Sequence, residues 1–319
     1  MRNTLPVYRC SRRYVLAGLC ALPLNLYFAP LAMGSVTAPL QGDALQAELA
    51  KLEATSGGRL GVASQLATGG KILSYRGDER FPLCSTFKAV AAAAILRDKP
   101  QLLGQRIHFT RDDLLAWSPI TEKHIEDGLT VAELCAAIVQ YSDNTAANII
   151  LRLLGGPEAL TAFSRTLGDT SFRLDRYEVE LNAAMPGDPR DSSTPTAMCR
   201  TLNGLLCGNL LPKAAKEQLT AWMLGCATGV TRIPAATPQG WRAAHKTGGW
   251  REGTLSTAND MGVLFPPADN ASSIKNPLIM TIFLSGSQRT DSDNDKIIAS
   301  AARLLCAAEG LARPNDNMY

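Results

Sequence analysis

Hydrophobic and polar positions change their period twice along this 319-residue chain. Residues 43 to 56 have a helical pattern, and "GRLGVASQLATGGKILSYRGDERF" then alternates apolar and polar positions on both sides of "TGGK", which predicts a hairpin. From Ser85 to about Thr220 the apolar residues of "AVAAAAIL", "TVAELCAAIVQY" and "NTAANIILRLL" recur every three to four positions, with Gly and Pro at the joins, which predicts helices. Strand patterns return in "WRAAHKTGGW", "NDMGVLFPP" and "NPLIMTIFLSGS", and "SDNDKIIASAARLLCAAEG" predicts a closing, capped amphipathic helix. Strands at both ends with helices between them predict an α/β (α+β) chain. Residues 43–80 and 235–319 form its sheet subdomain, and residues 81–234 form an inserted all-helical one. A cleft between the two is the expected place for a site.

The first residues break this pattern. "RCSRRYVLAGLCALPLNLYFAPLAMG" runs from a basic segment through an apolar stretch to small residues, as an export signal does. Residues 1–34 are read as that signal, with cleavage expected near residues 32 to 38, and Arg12 and Arg13 resemble a twin-arginine signal. The apolar run is short for a membrane span and is broken by Pro23 and Pro30, so a periplasmic or secreted product without a membrane anchor is expected. A formal charge of +3 with scattered basic residues gives no nucleic-acid surface, and with no heptad or exposed repeat a monomer is expected. Of the eight cysteines, Cys84, Cys135, Cys199, Cys207, Cys226 and Cys306 lie beyond the signal without metal-site spacing, and read as buried thiols. His108, His124 and His245 are the only histidines, and their separations are too wide for a zinc site; no metal or cofactor is expected.

"PLCSTFKAV" sets Ser85 and Lys88 three residues apart at the start of an apolar helix, on one face and near its positive end. Alone, the pair reads more readily as a helix cap and a surface lysine, because S-x-x-K is short and common. Three further motifs follow in order: "YSDNTAAN" with Ser142, Asp143 and Asn144, "RYEVELN" with Arg176, Glu178 and Asn182, and "HKTGGW" with Lys246, Thr247 and Gly248. Each has an ordinary structural reading. Together and in this order they are the motif set of serine β-lactamases and penicillin-binding proteins.

The chain resembles the class A serine β-lactamases over nearly all of its mature length, including "GDTSFRLDRYEVELNAAMPGDPRDSSTP" and "TGVTRIPA". The resemblance implies a β-lactamase/transpeptidase-like fold, with a five-stranded antiparallel sheet flanked by helices beside a helical subdomain. It implies a small β-lactam substrate opened by Ser85, with Lys88 or Glu178 taking the serine proton and the backbone N–H groups of Ser85 and Gly249 holding the oxyanion. Glu178 and Asn182 would hold the deacylating water and Asn144 the acylamide of the substrate. Ser142, polarised by Lys246, would protonate the leaving nitrogen. Lys246, Thr247 and Arg232 would receive the substrate carboxylate, with Gly248 beside them. Arg176 with Asp191 resembles the ion pair across the neck of the Glu178 loop, and Trp117 the aromatic gatepost.

The chain departs from the family in several places. Val179 stands where many relatives have proline, leaving the Glu178–Val179 bond open between cis and trans. His245 replaces the usual aspartate and, if protonated, would lower the pKa of Lys246. The hairpin after Gly248 is expected to be longer than the common form. Cys84 and Cys135 lack the partners that other members supply, so no disulfide of either family type is expected. The competing readings are a penicillin-binding D-alanyl-D-alanine carboxypeptidase, against which the Glu178 loop argues, and a non-hydrolytic β-lactam receptor, which would be expected to lack Ser85, Lys88 or Glu178.

Overall fold

The computed structural model describes residues 40, 42–183, 187–268 and 276–311, so the export-signal reading falls outside the described residues. In chain order the elements are α1 (Asp43–Ser56), β1 (Arg59–Leu66), β2 (Leu73–Tyr75), β3 (Phe81–Pro82), α2 (Phe87–Asp98), β4 (Arg106–Ile107), β5 (Leu129–Thr130) and α3 (Val131–Ala136). There follow α4 (Asn144–Leu154), α5 (Pro157–Thr166), β6 (Ser192–Ser193), α6 (Pro195–Leu202), α7 (Lys213–Leu224), α8 (Ile233–Ala236), β7 (Arg242–Glu252), β8 (Leu255–Phe265), β9 (Leu278–Ser287) and α9 (Asp291–Ala308).

Five strands form one antiparallel sheet in the order β2-β1-β9-β8-β7, as expected from the sequence. The central strand β9 is apolar on both faces. Leu278, Met280, Ile282 and Leu284 pack with Leu45 and Leu49 of α1, Ile233 of α8 and Ile297, Ile298 and Leu305 of α9. Ile279 and Phe283, pointing the other way, join a second core built from α2, α3, α4, α5, α6 and α7. A strand buried on both faces reads as a nearly continuous apolar run, which is why "LIMTIFL" has little alternation.

The helix that carries the S-x-x-K motif runs through the middle of the second core. Residues Phe87 to Leu96 of α2 are all buried, and its alanines let neighbouring helices approach closely while favouring the helix intrinsically. The helix stops at Asp98, where Lys99 leaves the helical region ahead of Pro100. Elsewhere local chemistry sets the ends. Thr130 and Glu133 cap α3 reciprocally, Asp143 caps α4, and Thr290 caps α9 by accepting from the Asp293 N–H.

The β7–β8 hairpin pairs without interruption from Arg242↔Phe265 to Glu252↔Leu255, so the length expected after Gly248 is ordered strand closed by a two-residue turn at Gly253 and Thr254. Gly262 faces His245 in this ladder, and a methyl group there would stand 2.5 Å from the Ala244 carbonyl and 2.8 Å from His245 Cβ. Both neighbours belong to the strand that carries Lys246 and Thr247. Gly262→Ala is therefore expected to lower unfolding free energy by about 1–3 kcal/mol, as overpacking does, measured as a lower urea midpoint.

Candidate active site

Ser85 sits in a single 3₁₀ turn, Cys84–Thr86, that leads into α2, so its hydroxyl lies at the positive end of a long buried helix. The turn is fixed from three directions. The Leu83 N–H donates to the Asp191 carbonyl at 2.8 Å, Asn259 Nδ2 of β8 donates to the Pro82 and Leu83 carbonyls at 2.7 and 3.2 Å, and β3 pairs with β6. Gly248 lies against the same turn, where a Cβ would stand 2.9 Å from the Leu83 carbonyl and 3.2 Å from the Ser85 nitrogen. Gly249 follows it on the exposed part of β7. Cys84 has φ +43°, and Trp117, Ser142 and Asp191 have φ of +61°, +61° and +50°. Such left-handed backbone in non-glycine residues is strained, and it gathers here on the segments around Ser85.

Lys88, the second residue of α2, is fully buried, and its ammonium collects oxygens from three stretches of chain. Nζ is 2.9 Å from Ser85 Oγ, 2.8 Å from the Ser142 carbonyl, 3.5 Å from Ser142 Oγ and 2.6 Å from Asn144 Oδ1. Glu178 Oε1 lies 2.8 Å away, a charge contact off the ideal hydrogen-bond direction. Ser142 reaches this position because the helix after α3 widens into a π turn, Ala137–Tyr141, and ends on Ser142 in the left-handed region. Asp143, wholly buried, then caps α4 through the Ala146 N–H and accepts from Ile120 N, Thr121 N and Thr121 Oγ1, tying down the loop that carries Trp117. Trp117 is 63% exposed, and its indole N–H donates to the Tyr141 carbonyl at 3.0 Å. Asn144 gives Nδ2 to the Ala116 carbonyl, so both ends of its amide have partners.

Glu178 is held at backbone and side chain alike. Asn148 of α4 clamps its peptide, donating to the Glu178 carbonyl and accepting from the Glu178 N–H, both at 2.9 Å. Asn182 Nδ2 donates to Glu178 Oε2 at 2.6 Å and to the Val179 carbonyl at 3.0 Å, while Asn182 Oδ1 is buried and accepts no hydrogen bond from the described residues. The Glu178–Val179 bond is cis. Across the loop neck Arg176 Nε meets Asp191 Oδ2 at 2.6 Å, and Asp191 Oδ1 accepts the N–H groups of Asp175 and Arg176. The ion pair expected from the sequence is present, with Asp191 1% exposed.

The third wall is β7. Lys246, fully buried, donates to Ser142 Oγ at 3.2 Å and to the Thr247 carbonyl at 2.7 Å. Burial draws its ammonium down to about 8, and the Lys88 charge adds to the push. The lowering expected from His245 therefore has another origin. Burial disfavours the His245 imidazolium, but Asp260, 3.0 Å from Nδ1, outweighs it and raises the histidine to about 10, so that its charge is compensated locally. Thr247 Oγ1 lies 2.6 Å from Thr228 Oγ1. Arg232 is placed beside this strand but differently from the open fork expected: Nε is spent on Asp295 at 2.6 Å and Nη1 on the Gly248 and Asn259 carbonyls at 3.0 and 2.8 Å.

A model described as the β-lactamase enzyme family matches residues 44–308. β-Lactamase OXY-1 of Klebsiella oxytoca is 43% identical, over 94% of this chain and 98% of that protein. The carbapenem-hydrolysing β-lactamase KPC of Klebsiella oxytoca is also 43% identical, over 94% of this chain and 97% of that protein. Among solved structures, the class A β-lactamase of the last common ancestor of Gram-negative bacteria superposes with a TM-score of 0.78 at 50% identity, covering 83% of this chain and 99% of the other. The chain belongs to the class A β-lactamases.

Several residues that build the site of this family member escape a motif reading: Asn148, Asn259, Asp260 and Asp295. Asn148 carried a signal, a polar residue one turn beyond Asn144 on an otherwise apolar helix face. Removing one partner of a buried ion pair strands the other, so Asp191→Ala is expected to destabilise the enzyme by about 3–5 kcal/mol, seen as a fall in urea midpoint. β-Lactam turnover measured well below that midpoint should fall too, because the neck of the Glu178 loop opens.

Proposed function

We propose that this β-lactamase works through an acyl-enzyme on Ser85 that a Glu178-activated water releases. The observation that carries the reading is the position of Lys88 Nζ, 2.9 Å from Ser85 Oγ and 2.8 Å from Glu178 Oε1, in a fully buried site. Ser85 Oγ attacks the lactam carbonyl and its proton passes to the Lys88–Glu178 pair. The backbone N–H groups of Ser85 and Gly249 receive the oxyanion. Ser142, within 3.2 Å of Lys246, protonates the ring nitrogen as the amide opens, and Lys246 replaces that proton. The substrate carboxylate rests on Lys246 and Thr247, with Arg232 contributing charge while bracing β7, and the acylamide meets Asn144.

Deacylation falls to Glu178 and Asn182. Two buried acceptors, Glu178 Oε1 and Asn182 Oδ1, lack aligned hydrogen-bond donors among the described residues, and a water between them would satisfy both. This pair favours a hydrolase over a carboxypeptidase or receptor that stays acylated. Penicillins and early cephalosporins are the proposed substrates. The signal-like N-terminus supports a periplasmic or secreted monomer acting without a cofactor.

Intact-protein mass spectrometry after mixing with benzylpenicillin tests the reading. Wild type should turn over without accumulating adduct, while Glu178→Ala should hold one penicilloyl group that is lost in Ser85→Ala, with turnover lowered by about 10²–10⁴-fold. A wild-type protein that itself stays acylated for many minutes would replace the hydrolase with the peptidase or receptor.

A further inference from the structure

His245 is a departure from the family that the β-lactam chemistry above leaves unused. It alternates with Lys246 along β7, so it leaves the strand on the face opposite that lysine. There Nδ1 lies 3.0 and 3.1 Å from the two oxygens of Asp260 on β8, and both side chains are buried. Gly262, directly opposite His245 in the ladder, leaves room for the ring, since a methyl group there would stand 2.8 Å from His245 Cβ. Asp260 Oδ2 also accepts the Ile233 N–H at 3.1 Å, and among the described residues no other cation stands within ion-pair distance of the carboxylate. A carboxylate cut off from water needs a countercharge, and the imidazolium is the group placed to supply it. Burial opposes that imidazolium, but Asp260 outweighs burial and holds the histidine at about 10, so the pair stays charged at neutral pH.

The other buried charges around the site are paired in the same way. Lys88 has Glu178 at 2.8 Å, Arg176 has Asp191 at 2.6 Å and Arg232 has Asp295 at 2.6 Å. Lys246 is buried as deeply as Lys88, yet it donates to the Ser142 hydroxyl and the Thr247 carbonyl, and no carboxylate among the described residues lies within ion-pair distance of it. Asp260 stands directly across the ladder from Thr247, the neighbour of Lys246. Directly opposed residues have Cβ atoms about 4.5–5.5 Å apart. Burial lowers the Lys246 ammonium, and Asp260 is among the charges that resist the lowering, so its field reaches the site. Without a countercharge, Asp260 would weaken the positive potential where the substrate carboxylate is received.

We propose that His245 is a specificity-determining residue: its imidazolium cancels the Asp260 charge and leaves Lys246 as the uncompensated cation of the site, which selects β-lactams that carry a carboxylate. The inference rests on the role proposed above for Lys246 and Thr247. His245 touches no substrate atom and acts through the charge it removes from beneath the strand. Arg232, already neutralised by Asp295, cannot substitute for Lys246 in this selection.

The test compares benzylpenicillin with its methyl ester, which lacks the negative charge, on wild type, His245→Asn and His245→Asp. Asparagine offers Asp260 a donor without the charge, and aspartate, usual at this position in the family, gives two carboxylates that share one proton, so either variant leaves one negative charge in place. In both variants kcat/KM for benzylpenicillin should fall on the order of 10-fold through a higher KM at unchanged kcat, while kcat/KM for the ester stays within about twofold. The double variant His245→Asn with Asp260→Asn, neutral again, should recover the benzylpenicillin KM. If the asparagine variant does not fold, the aspartate variant carries the same test with the residue that relatives hold there. An unchanged benzylpenicillin KM in a folded variant overturns the proposal, and so does an equal loss on acid and ester, which marks a purely structural role. Wild type that hydrolyses acid and ester equally well overturns the carboxylate role of Lys246, and wild type with no benzylpenicillin turnover overturns the hydrolase reading; the proposal falls with either.

Discussion

An ammonium cut off from water must be neutralised where it lies, and the fully buried Lys88 meets that demand by drawing together three stretches of chain. Ser85 and Lys88 come with α2, Ser142 and Asn144 with the turn before α4, and Glu178 with its own loop. The only carboxylate among these contacts is Glu178, so the cation and the loop are mutually dependent. That dependence explains why the loop is held so heavily, by Asn148 at the peptide and by Arg176 with Asp191 at the neck. A carboxylate that drifted away would leave an uncompensated charge in the core.

A second buried cation shares the site. Lys246 reaches Ser142 Oγ at 3.2 Å from the β7 side, and Lys88 approaches the same oxygen at 3.5 Å from the α2 side. Two positive groups around one hydroxyl favour its deprotonated form, and burial brings Lys246 down to about 8. None of this needs a moving part. The participating side chains stand at the start of a helix, within strand β7, or on a loop pinned by buried hydrogen bonds, so geometry is set before substrate arrives.

The sequence revealed those features that repeat or cluster locally. The hairpin around "TGGK", the helix over residues 43 to 56 and the strands "NDMGVLFPP" and "NPLIMTIFLSGS" follow from period and turn residues, and Ser85, Lys88, Ser142, Glu178 and Lys246 follow from short motifs. What stayed hidden is the long-range polar support. Asn259 holds the Pro82 carbonyl from 177 positions away, and Asp295 takes Arg232 from 63 positions away, distances at which a single polar residue carries no pattern. The π turn at Ala137–Tyr141 was hidden for another reason: its apolar spacing continues that of α3, and only the wider backbone turn sets Ser142 in place.

If the buried ammonium is the organising group, replacing it with an uncharged side chain of similar length should stop chemistry without unfolding the protein. The direct measurement is the pre-steady-state rate of Ser85 acylation by benzylpenicillin in Lys88→Met, with unfolding by urea alongside. Acylation slowed by about 10²–10⁴-fold in a protein that still unfolds cooperatively is the predicted result. Acylation at the wild-type rate in a folded Lys88→Met protein would contradict it.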